Sequence, residues 1–595
     1  MVTSAHSTER ATGDGLRRLV PVRGARSARP FVAVLCVLAL VLFVWPVAML
    51  AIGAFRTSAP GVPGEWSAQA VPAVLSDPRT WSTLLQSAAL AVTVTAVGVV
   101  LGFFLAWVVT RTDAPLRRVV TPMMMVVFAV PLLFSALSWG MLAQPPNGTL
   151  NTAVAAVSGA DTTWLTAYSW FGLIGTTALK VTAVAYLLLS GPVGAMDRSL
   201  TEASSLAGAR RWTTFWRVEV PVLAPAVAGV AILCLVLGLG LLDVALVLGV
   251  PAGISVFPTE IYGYLMTASP PEYARAGVLA LVLVVIVLLL VAAQNRVLAG
   301  REFVTVTGKA RAGDVLPLGR ARWACTAVVV GYGLVAVVLP FLQLVLGSLQ
   351  PVFGVYGTFT LDNYLDVLDD RTVLEALSNT LLLGVVAGFV ATLLAALISY
   401  ARLRTTAVLR TLPDLALWLI IAVPGVVVSL GVLWAYLSTP VLGGLYGTVW
   451  IVVLALVALV TPIAARATSG AVVQIGPELE DAARTAGASQ ARTVVDVVLR
   501  LILPAFLGAW FVTGVLAAGN LDIPVLLASP STPTVPTIVY SLYSQTGQTA
   551  QAAAVLCVFL ASLAAVFVLL LALRASVSAL LRRATPQPNE RGGPR

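Results

Sequence analysis

Three ionisable residues stand out inside or beside long apolar runs of this 595-residue chain: Lys180, Asp243 and Asp522. A charge at the centre of a membrane span costs about 2.5–3.5 kcal/mol, so such a residue is by default a candidate for function. Asp243 follows Pro225 by 18 residues, and Asp522 follows Pro504 by the same number. That interval is about 27 Å of helix rise, which places both acids near the far end of an apolar helix. The helix dipole disfavours an acid at that end, so helix capping does not explain them.

The composition indicates which elements position these side chains. Hydrophobic residues make up 59% of the chain and charged residues 10%, with a mean hydropathy of +0.96. Soluble domains carry about a quarter charged residues, so a soluble protein is excluded. We predict an all-α polytopic membrane protein of about 12 transmembrane helices, because twelve apolar runs are long enough to span a bilayer. They lie at about 31–54, 82–110, 119–143, 165–190, 222–249, 274–295, 323–348, 378–401, 411–437, 446–469, 504–528 and 551–573.

The net charge of +10 comes from 36 basic and 26 acidic residues, and the basic residues are concentrated in alternate loops. Excess Lys and Arg mark cytoplasmic loops, so we expect both termini in the cytoplasm and no binding of nucleic acid. The four cysteines lie in apolar runs, and the single histidine, His6, lies in the polar N-terminal tail. We therefore expect no disulfide, no metal site and no catalytic residue.

The two halves of the chain form an internal repeat. Ala129-Val130-Pro131 matches Ala422-Val423-Pro424, and the Pro-Thr-x-x-Tyr stretch ending at Tyr262 matches that ending at Tyr540. Each half contains six predicted helices and begins in the cytoplasm, so the repeats are parallel and imply a central pathway between two bundles. The predicted units are a basic cytoplasmic tail at 1–30, a first six-helix domain at 31–296, a cytoplasmic linker at 297–321, a second six-helix domain at 322–574 and a cytoplasmic tail at 575–595.

Two of the basic loops, at about 196–221 and 475–503, share one spacing of residues. In each, two small residues follow an acid, and a glycine stands six positions after it. A capping pattern or a first-turn proline predicts a short helix, and the glycine permits the left-handed residue that ends it. A second short helix is expected at about 210–218 or 489–499. The residues concerned are Glu202, Ala203, Ser204 and Gly208 in the first loop and Asp481, Ala482, Ala483 and Gly487 in the second.

This spacing resembles the EAA loop of ABC importer permeases, and two copies at equivalent points of a repeat resemble a fused double permease. The departures are Ser204 for the second alanine, Asp481 for glutamate and Arg500 where a proline is usual. The linker stretch 303–309 and the Pro-Thr-x-x-Tyr copies resemble the iron(III) branch of the family. Thiamine, polyamine and phosphonate importers share the same layout and remain alternatives.

The resemblance implies a set of partners in the bacterial plasma (inner) membrane. Two copies of an ABC ATPase subunit would grip the loops, and an extracytoplasmic solute-binding protein would deliver the solute. No Gly-x-x-x-x-Gly-Lys-Ser/Thr stretch occurs in the sequence, so we expect ATP and Mg²⁺ to be used by the partner subunits. The chain itself is expected to bind no cofactor and to catalyse no reaction. The coupling residues implied are Glu202, Ala203, Gly208, Asp481, Ala482 and Gly487.

The intramembrane residues keep alternative interpretations. Asp243 and Asp522 either face the outer mouth of the pathway and attract a cation such as ferric iron, or are solvated at the interface or anchor a loop. Lys180 either snorkels or pairs with an acid, or else lines the pathway. Pro131 and Pro424 either kink the third helix of each half and line a gate or are tolerated bends.

Two other classes of protein fit the hydropathy. A secondary transporter driven by protons or sodium would have two six-helix halves, but it predicts acid, His or Arg relays within the membrane, and the single histidine argues against them. A membrane assembly or anchoring protein leaves the duplicated loops unexplained. The favoured hypothesis is therefore the ATP-driven permease.

Overall fold

The computed structural model describes residues 29–159, 165–298, 317–404 and 423–584, together with residues 163, 417 and 420. The predicted tails and linker, including the stretch 303–309, lie mostly outside the described residues, as does the first part of the predicted span 411–437. Every regular element in the described part is a helix, apart from one isolated bridge between Arg56 and Trp66. The predicted all-α class is confirmed.

The main helices follow the two halves of the chain. Those of the first half are α1 (Val32–Gly53), α2 (Pro78–Arg111), α3 (Arg117–Ala129), α4 (Leu132–Leu142), α5 (Trp170–Ala195), α6 (Arg198–Leu206), α7 (Trp212–Leu239), α8 (Phe257–Met266) and α9 (Tyr273–Leu298). Those of the second half are α10 (Ala321–Ser348), α11 (Arg371–Arg404), α12 (Gly425–Leu437), α13 (Val449–Val473), α14 (Pro477–Thr485), α15 (Val495–Ala518), α16 (Val535–Ser544) and α17 (Thr549–Ala584). Shorter helices span Ala70–Leu75, Thr149–Ser158, Asp362–Asp369, Pro440–Gly443 and Pro524–Leu527.

Ten of the described helices are long and apolar enough to cross a membrane. They are α1, α2, α5, α7, α9, α10, α11, α13, α15 and α17. Two bent pairs, α3 with α4 and residues 245–252 with α8, raise the number to twelve if each is one span. The ten straight spans correspond one to one with ten of the twelve predicted runs.

The predicted span 119–143 is not one straight helix. Its two parts, α3 and α4, meet at an angle of 95°. Pro131 has φ −58° and ψ 145°, and Val130 before it is extended, because the proline ring lacks an N–H and disfavours a helical residue ahead of it. The runs predicted at 222–249 and 504–528 also end earlier as helices, at Leu239 and Ala518.

The repeat extends to irregular turns of the backbone. A π turn at Leu40–Val44 lies just ahead of Pro46, and another at Leu334–Val338 lies just ahead of Pro340. A proline ring within a helix clashes with the carbonyl four residues earlier, and the wider turn gives that carbonyl room. The first span of each half is therefore shaped alike by a proline at the same position.

The first span of each half packs against the other half. The rings of Phe134 on α4 and Phe341 on α10 lie 4.7 Å apart between centroids. On the equivalent side, the Trp434 ring of α12 lies so close to Gly53 of α1 that a Cβ there would come within 2.3 Å of it. Each half therefore completes the core of the other. One large cluster contains buried hydrophobic residues of both halves, and a smaller separate cluster lies within the second half.

Candidate functional site

The two EAA-like loops begin as short helices. Asp197 caps α6 by accepting a hydrogen bond of 2.9 Å from the backbone N–H of Ser199. Helix α6 therefore begins at Arg198, one residue before the stretch Ser199–Glu202 that has the form of a capping box. Helix α14 begins at Pro477, whose missing N–H costs nothing in the first turn.

Glycine ends both short helices in the same way. Gly208 has φ +80° and Gly487 has φ +90°, the left-handed conformation expected from the sequence. In the first loop Ala209 N–H donates to Ser204 O at 3.1 Å, and in the second Ala488 N–H donates to the equivalent carbonyl at 3.0 Å. A Cβ at either glycine would meet no atom within 4 Å. The requirement for glycine is therefore one of backbone conformation rather than of space.

The second short helix predicted for each loop is not separate. Residues Arg211–Thr214 and a π turn at Phe215–Glu219 form the first part of the long helix α7 without a break. The second loop is likewise continuous with α15. A hydrogen bond of 2.9 Å between the Ser204 and Thr214 hydroxyls ties α6 to the start of that helix. The short helix is thereby tied directly to a membrane-spanning one.

The predicted coupling residues lie at the surface of these loops. Their side chains, and both glycines, are exposed. A groove beside α14 is lined by Ala483, Gly487, Arg492, Asp496 and Val497 among others. The six residues named from the sequence are therefore accessible to a partner protein.

The other predicted site residues meet at a joint between the two halves. Pro131 of the first half packs on Gly519 of the second, where a Cβ would lie 2.4 Å from the proline Cγ. Pro424 of the second half packs on Gly240 of the first, where a Cβ would lie 3.1 Å from the proline Cβ. The two contacts lie at equivalent positions of the repeat, and together we call them the proline joint. It lies at the far end of α7 from the coupling loop, about 40 Å away for a 28-residue helix.

Asp243 and Asp522 lie within the proline joint. Each follows the end of its long helix by four residues, and the two carboxyl groups interact with each other. Asp243 is 8% exposed, and the Oδ1 atom of each acid is buried without a hydrogen-bond partner. Asp522 packs against Gly425 so closely that a Cβ there would lie 2.5 Å from its Oδ2. Ser429 donates to the backbone carbonyl of Asp522 at 3.1 Å.

Lys180 supports the break between α3 and α4. Its ammonium group donates to the carbonyls of Phe128 and Val130 at 2.5 and 2.6 Å. These carbonyls lie at the end of α3, where the proline interrupts the helical hydrogen bonds and a cation is favoured by the dipole. The ammonium also interacts electrostatically with Asp243. The side chain thus links the bend to the acidic pair.

The sequence of this chain matches one protein family twice. The family is the binding-protein-dependent transport system inner membrane component, and the matched residues are 98–298 and 380–585, more than half of the chain. The chain belongs to this family. It is thus a multi-pass protein of the inner membrane, and the predicted internal repeat is a repeat of the family domain.

Three relatives of this inner membrane component are permease proteins by name. The ferric transport system permease protein FbpB of Actinobacillus pleuropneumoniae is 28% identical over 375 residues, 62% of this chain and 54% of that protein. The putative ferric transport system permease protein FbpB 1 of Haemophilus influenzae is 27% identical over 62% of this chain and 58% of its own. The chain thus matches little more than half of the length of these two relatives. The probable ABC transporter permease protein y4fN of Sinorhizobium fredii is 27% identical, covering 74% of this chain and 76% of its own.

One solved structure resembles a part of this inner membrane component. It is described as a bacterial ABC transporter involved in the import of the acidic polysaccharide alginate. It covers 45% of this chain and 98% of the matched chain, at 17% identity and a TM-score of 0.34.

Sequence reasoning missed the glycines that let the two halves of the inner membrane component approach. Gly240 and Gly519 each precede an acid by three residues, so the repeat carries a shared Gly-x-Leu-Asp stretch that signals them. It matched Tyr262 with Tyr540 in the repeat but did not predict their contact, in which the two rings lie 6.5 Å apart across the halves. No group of three or more His, Cys, Asp or Glu suited to a metal occurs among the residues that the structure describes.

Proposed function

We propose that this chain is the transmembrane permease of a bacterial ABC importer and supplies both halves of the pathway from one polypeptide. The observation that carries the proposal is the pair of exposed, glycine-terminated coupling helices at equivalent points of the family repeat. Each half forms one domain, at about 31–296 and 322–574. Both termini and both coupling loops face the cytoplasm, as the basic loops indicate.

Energy enters through the coupling loops. Two ATPase subunits hold α6 and α14, in which Glu202, Ala203, Asp481 and Ala482 are exposed for contact. ATP-driven closure of the ATPase pair moves these helices, and α7 and α15 carry the movement to the proline joint because each is continuous with its loop. The two bundles then rock between inward-open and outward-open states. An extracytoplasmic binding protein delivers solute to the outward mouth.

The solute that we propose is iron(III). The names of two relatives support this choice, since both are ferric transport permeases. When the proline joint parts, Asp243 and Asp522 face the pathway and present carboxylates that attract a cation. Pro131 and Pro424 form the gate, and Lys180 holds the bend that places Pro131 there.

The experiment is uptake into proteoliposomes that contain the full chain with its ATPase, supplied with the binding protein and ⁵⁵Fe(III), thiamine or a polyamine in turn. The test variants are Gly208→Val and Gly487→Val, because a β-branched residue disfavours positive φ. We expect ATP hydrolysis to continue while uptake falls. Gly470→Val is the matched control, since that glycine lies in α13, lacks a positive φ and has no atom within 4 Å of its Cβ position.

Three outcomes would contradict the proposal at different levels. Unchanged coupled uptake in both variants would refute the role of the loops. Uptake of thiamine or a polyamine instead of iron would refute the solute. Uptake driven by an ion gradient without ATP would show a secondary transporter.

A further inference from the structure

The acidic pair joins the two halves through groups that repel when both are charged. Asp243 comes from the first half and Asp522 from the second, their carboxyl groups interact, and the Oδ1 atom of each is buried without a hydrogen-bond partner. Two neighbouring carboxyl groups at a buried site are not both ionised unless a cation lies between them, because their repulsion is screened little there. A species of positive charge must therefore lie between them while the joint is closed.

The positive charge around the pair compensates one carboxylate and no more. Lys180 on α5 is the only other charged side chain that acts on Asp243, and no charged group other than Asp243 acts on Asp522, among the described residues. Helices α7, α12 and α15 and the break between α3 and α4 thus contribute no further ion to the pair. One ammonium and two carboxyl groups are neutral when the carboxyl groups hold one proton.

A metal ion fits this site poorly. Gly425 packs against the Asp522 carboxyl group, and the Ser429 hydroxyl contacts the Asp522 backbone carbonyl. That hydroxyl is already engaged with two backbone carbonyls, those of Gly425 at 3.0 Å and Asp522 at 3.1 Å. Hard cations take six or more oxygen ligands, whereas a proton needs only the two carboxyl groups.

We propose that Asp243 and Asp522 share one proton and that the resulting acid–carboxylate hydrogen bond is a latch that holds the proline joint closed. The latch rests on the proposed function for its meaning, since the joint is the gate of that pathway. Loss of the proton to water leaves two carboxylates that repel, and the halves part. Opening toward water therefore exposes the charged pair, and reclosure requires that a proton return.

The test measures opening of the joint with a thiol probe in the full chain. Ser429→Cys places a thiol against Asp522 at a site with no exposed surface. A membrane-impermeant thiol reagent added to intact cells then reports how often the joint opens. The four native cysteines are first replaced by alanine: Cys36, Cys234, Cys325 and Cys557.

The decisive comparison is between the native pair and Asp243→Asn. Asparagine has nearly the shape of a protonated aspartate, and its amide donates to the Asp522 carboxylate at any pH. Dividing the labelling rate of the native pair by that of the variant removes the pH dependence of the thiol reaction itself. We expect the ratio to rise with external pH by up to about tenfold per unit, the slope for release of one proton. Asp366→Asn, at an exposed acid outside the joint, should behave as the native pair does.

Several results would overturn the latch. A ratio that stays constant with pH would show that no proton is released on opening. Rapid labelling of Asp243→Asn at every pH would show that the amide does not replace the proton. Labelling controlled by added ferric citrate instead of pH would show a bound cation. Iron uptake measured in the same cells tests the proposed function separately, so the latch and the proposed function can each be refuted independently of the other.

Discussion

Adding one methyl group on each side of the proline joint should have unequal effects. The substitutions are Gly519→Ala and Gly240→Ala, at equivalent positions of the repeat. Neither glycine has a positive φ, since their values are −87° and −93°, so alanine brings no backbone strain. The whole effect must therefore come from the fit against Pro131 or Pro424.

The distances predict how unequal the effects are. A methyl group on residue 519 would lie 2.4 Å from the Pro131 Cγ, more than 1 Å inside the carbon–carbon contact distance of about 3.5–4.0 Å. On residue 240 the nearest approach is 3.1 Å, which a small shift relieves. Overpacking costs about 1–3 kcal/mol, and we assign the upper part of that range to Gly519→Ala and less than the lower limit to Gly240→Ala. A free energy of 1–3 kcal/mol changes an equilibrium about 5- to 150-fold.

The assay is the labelling of Ser429→Cys by the impermeant reagent. Destabilisation of the closed joint should speed labelling by up to about 150-fold for Gly519→Ala and by less than about fivefold for Gly240→Ala. Gly508→Ala is the control, because that glycine lies in α15 and nothing approaches its Cβ position within 4 Å. Equal labelling of all three variants would refute the packing argument, and a larger effect at residue 240 would show that the joint is not closed as described.

Further predictions concern the supports of the joint and the topology. Lys180→Met leaves two carbonyls at the bend without their charged donor, so the midpoint of thermal unfolding in detergent should fall. Lys180→Arg keeps a charged donor, so its midpoint should fall less. An unchanged midpoint for the methionine variant would contradict this role. Ser87→Ala and Thr380→Val should each destabilise the protein by about 1–3 kcal/mol, because the backbone N–H of Phe257 or Val535 loses its buried acceptor. Unfolding by denaturant measures this loss. An effect in one half only would contradict the equivalence of the two sites. A reporter enzyme that works only in the cytoplasm should be active when fused to either terminus, and one that works only outside the membrane should be inactive there. The opposite result would reverse the proposed orientation.

The sequence by itself determined the class of protein and its repeat. Apolar runs of spanning length and a charge content of 10% leave helices in a membrane as the solution, because unpaired backbone groups are not tolerated there. The spacing from Glu202 to Gly208 and from Asp481 to Gly487 also determined the ends of the coupling helices, since left-handed residues are local and strongly favour glycine.

Only the tertiary structure decided which residues meet across the two halves. The sequence places Asp243 and Asp522 at equivalent positions, but their contact depends on how the bundles pack, with Gly240 and Gly519 allowing the approach. Pro131 predicted a bend without its angle of 95°, because a proline removes helical hydrogen bonds while neighbouring helices fix the new direction. The partners of Lys180 are carbonyls about 50 residues away in the chain, which no local pattern reveals. Local conformation is thus set by the residues themselves, whereas the joint arises from long-range packing that two similar halves impose on each other.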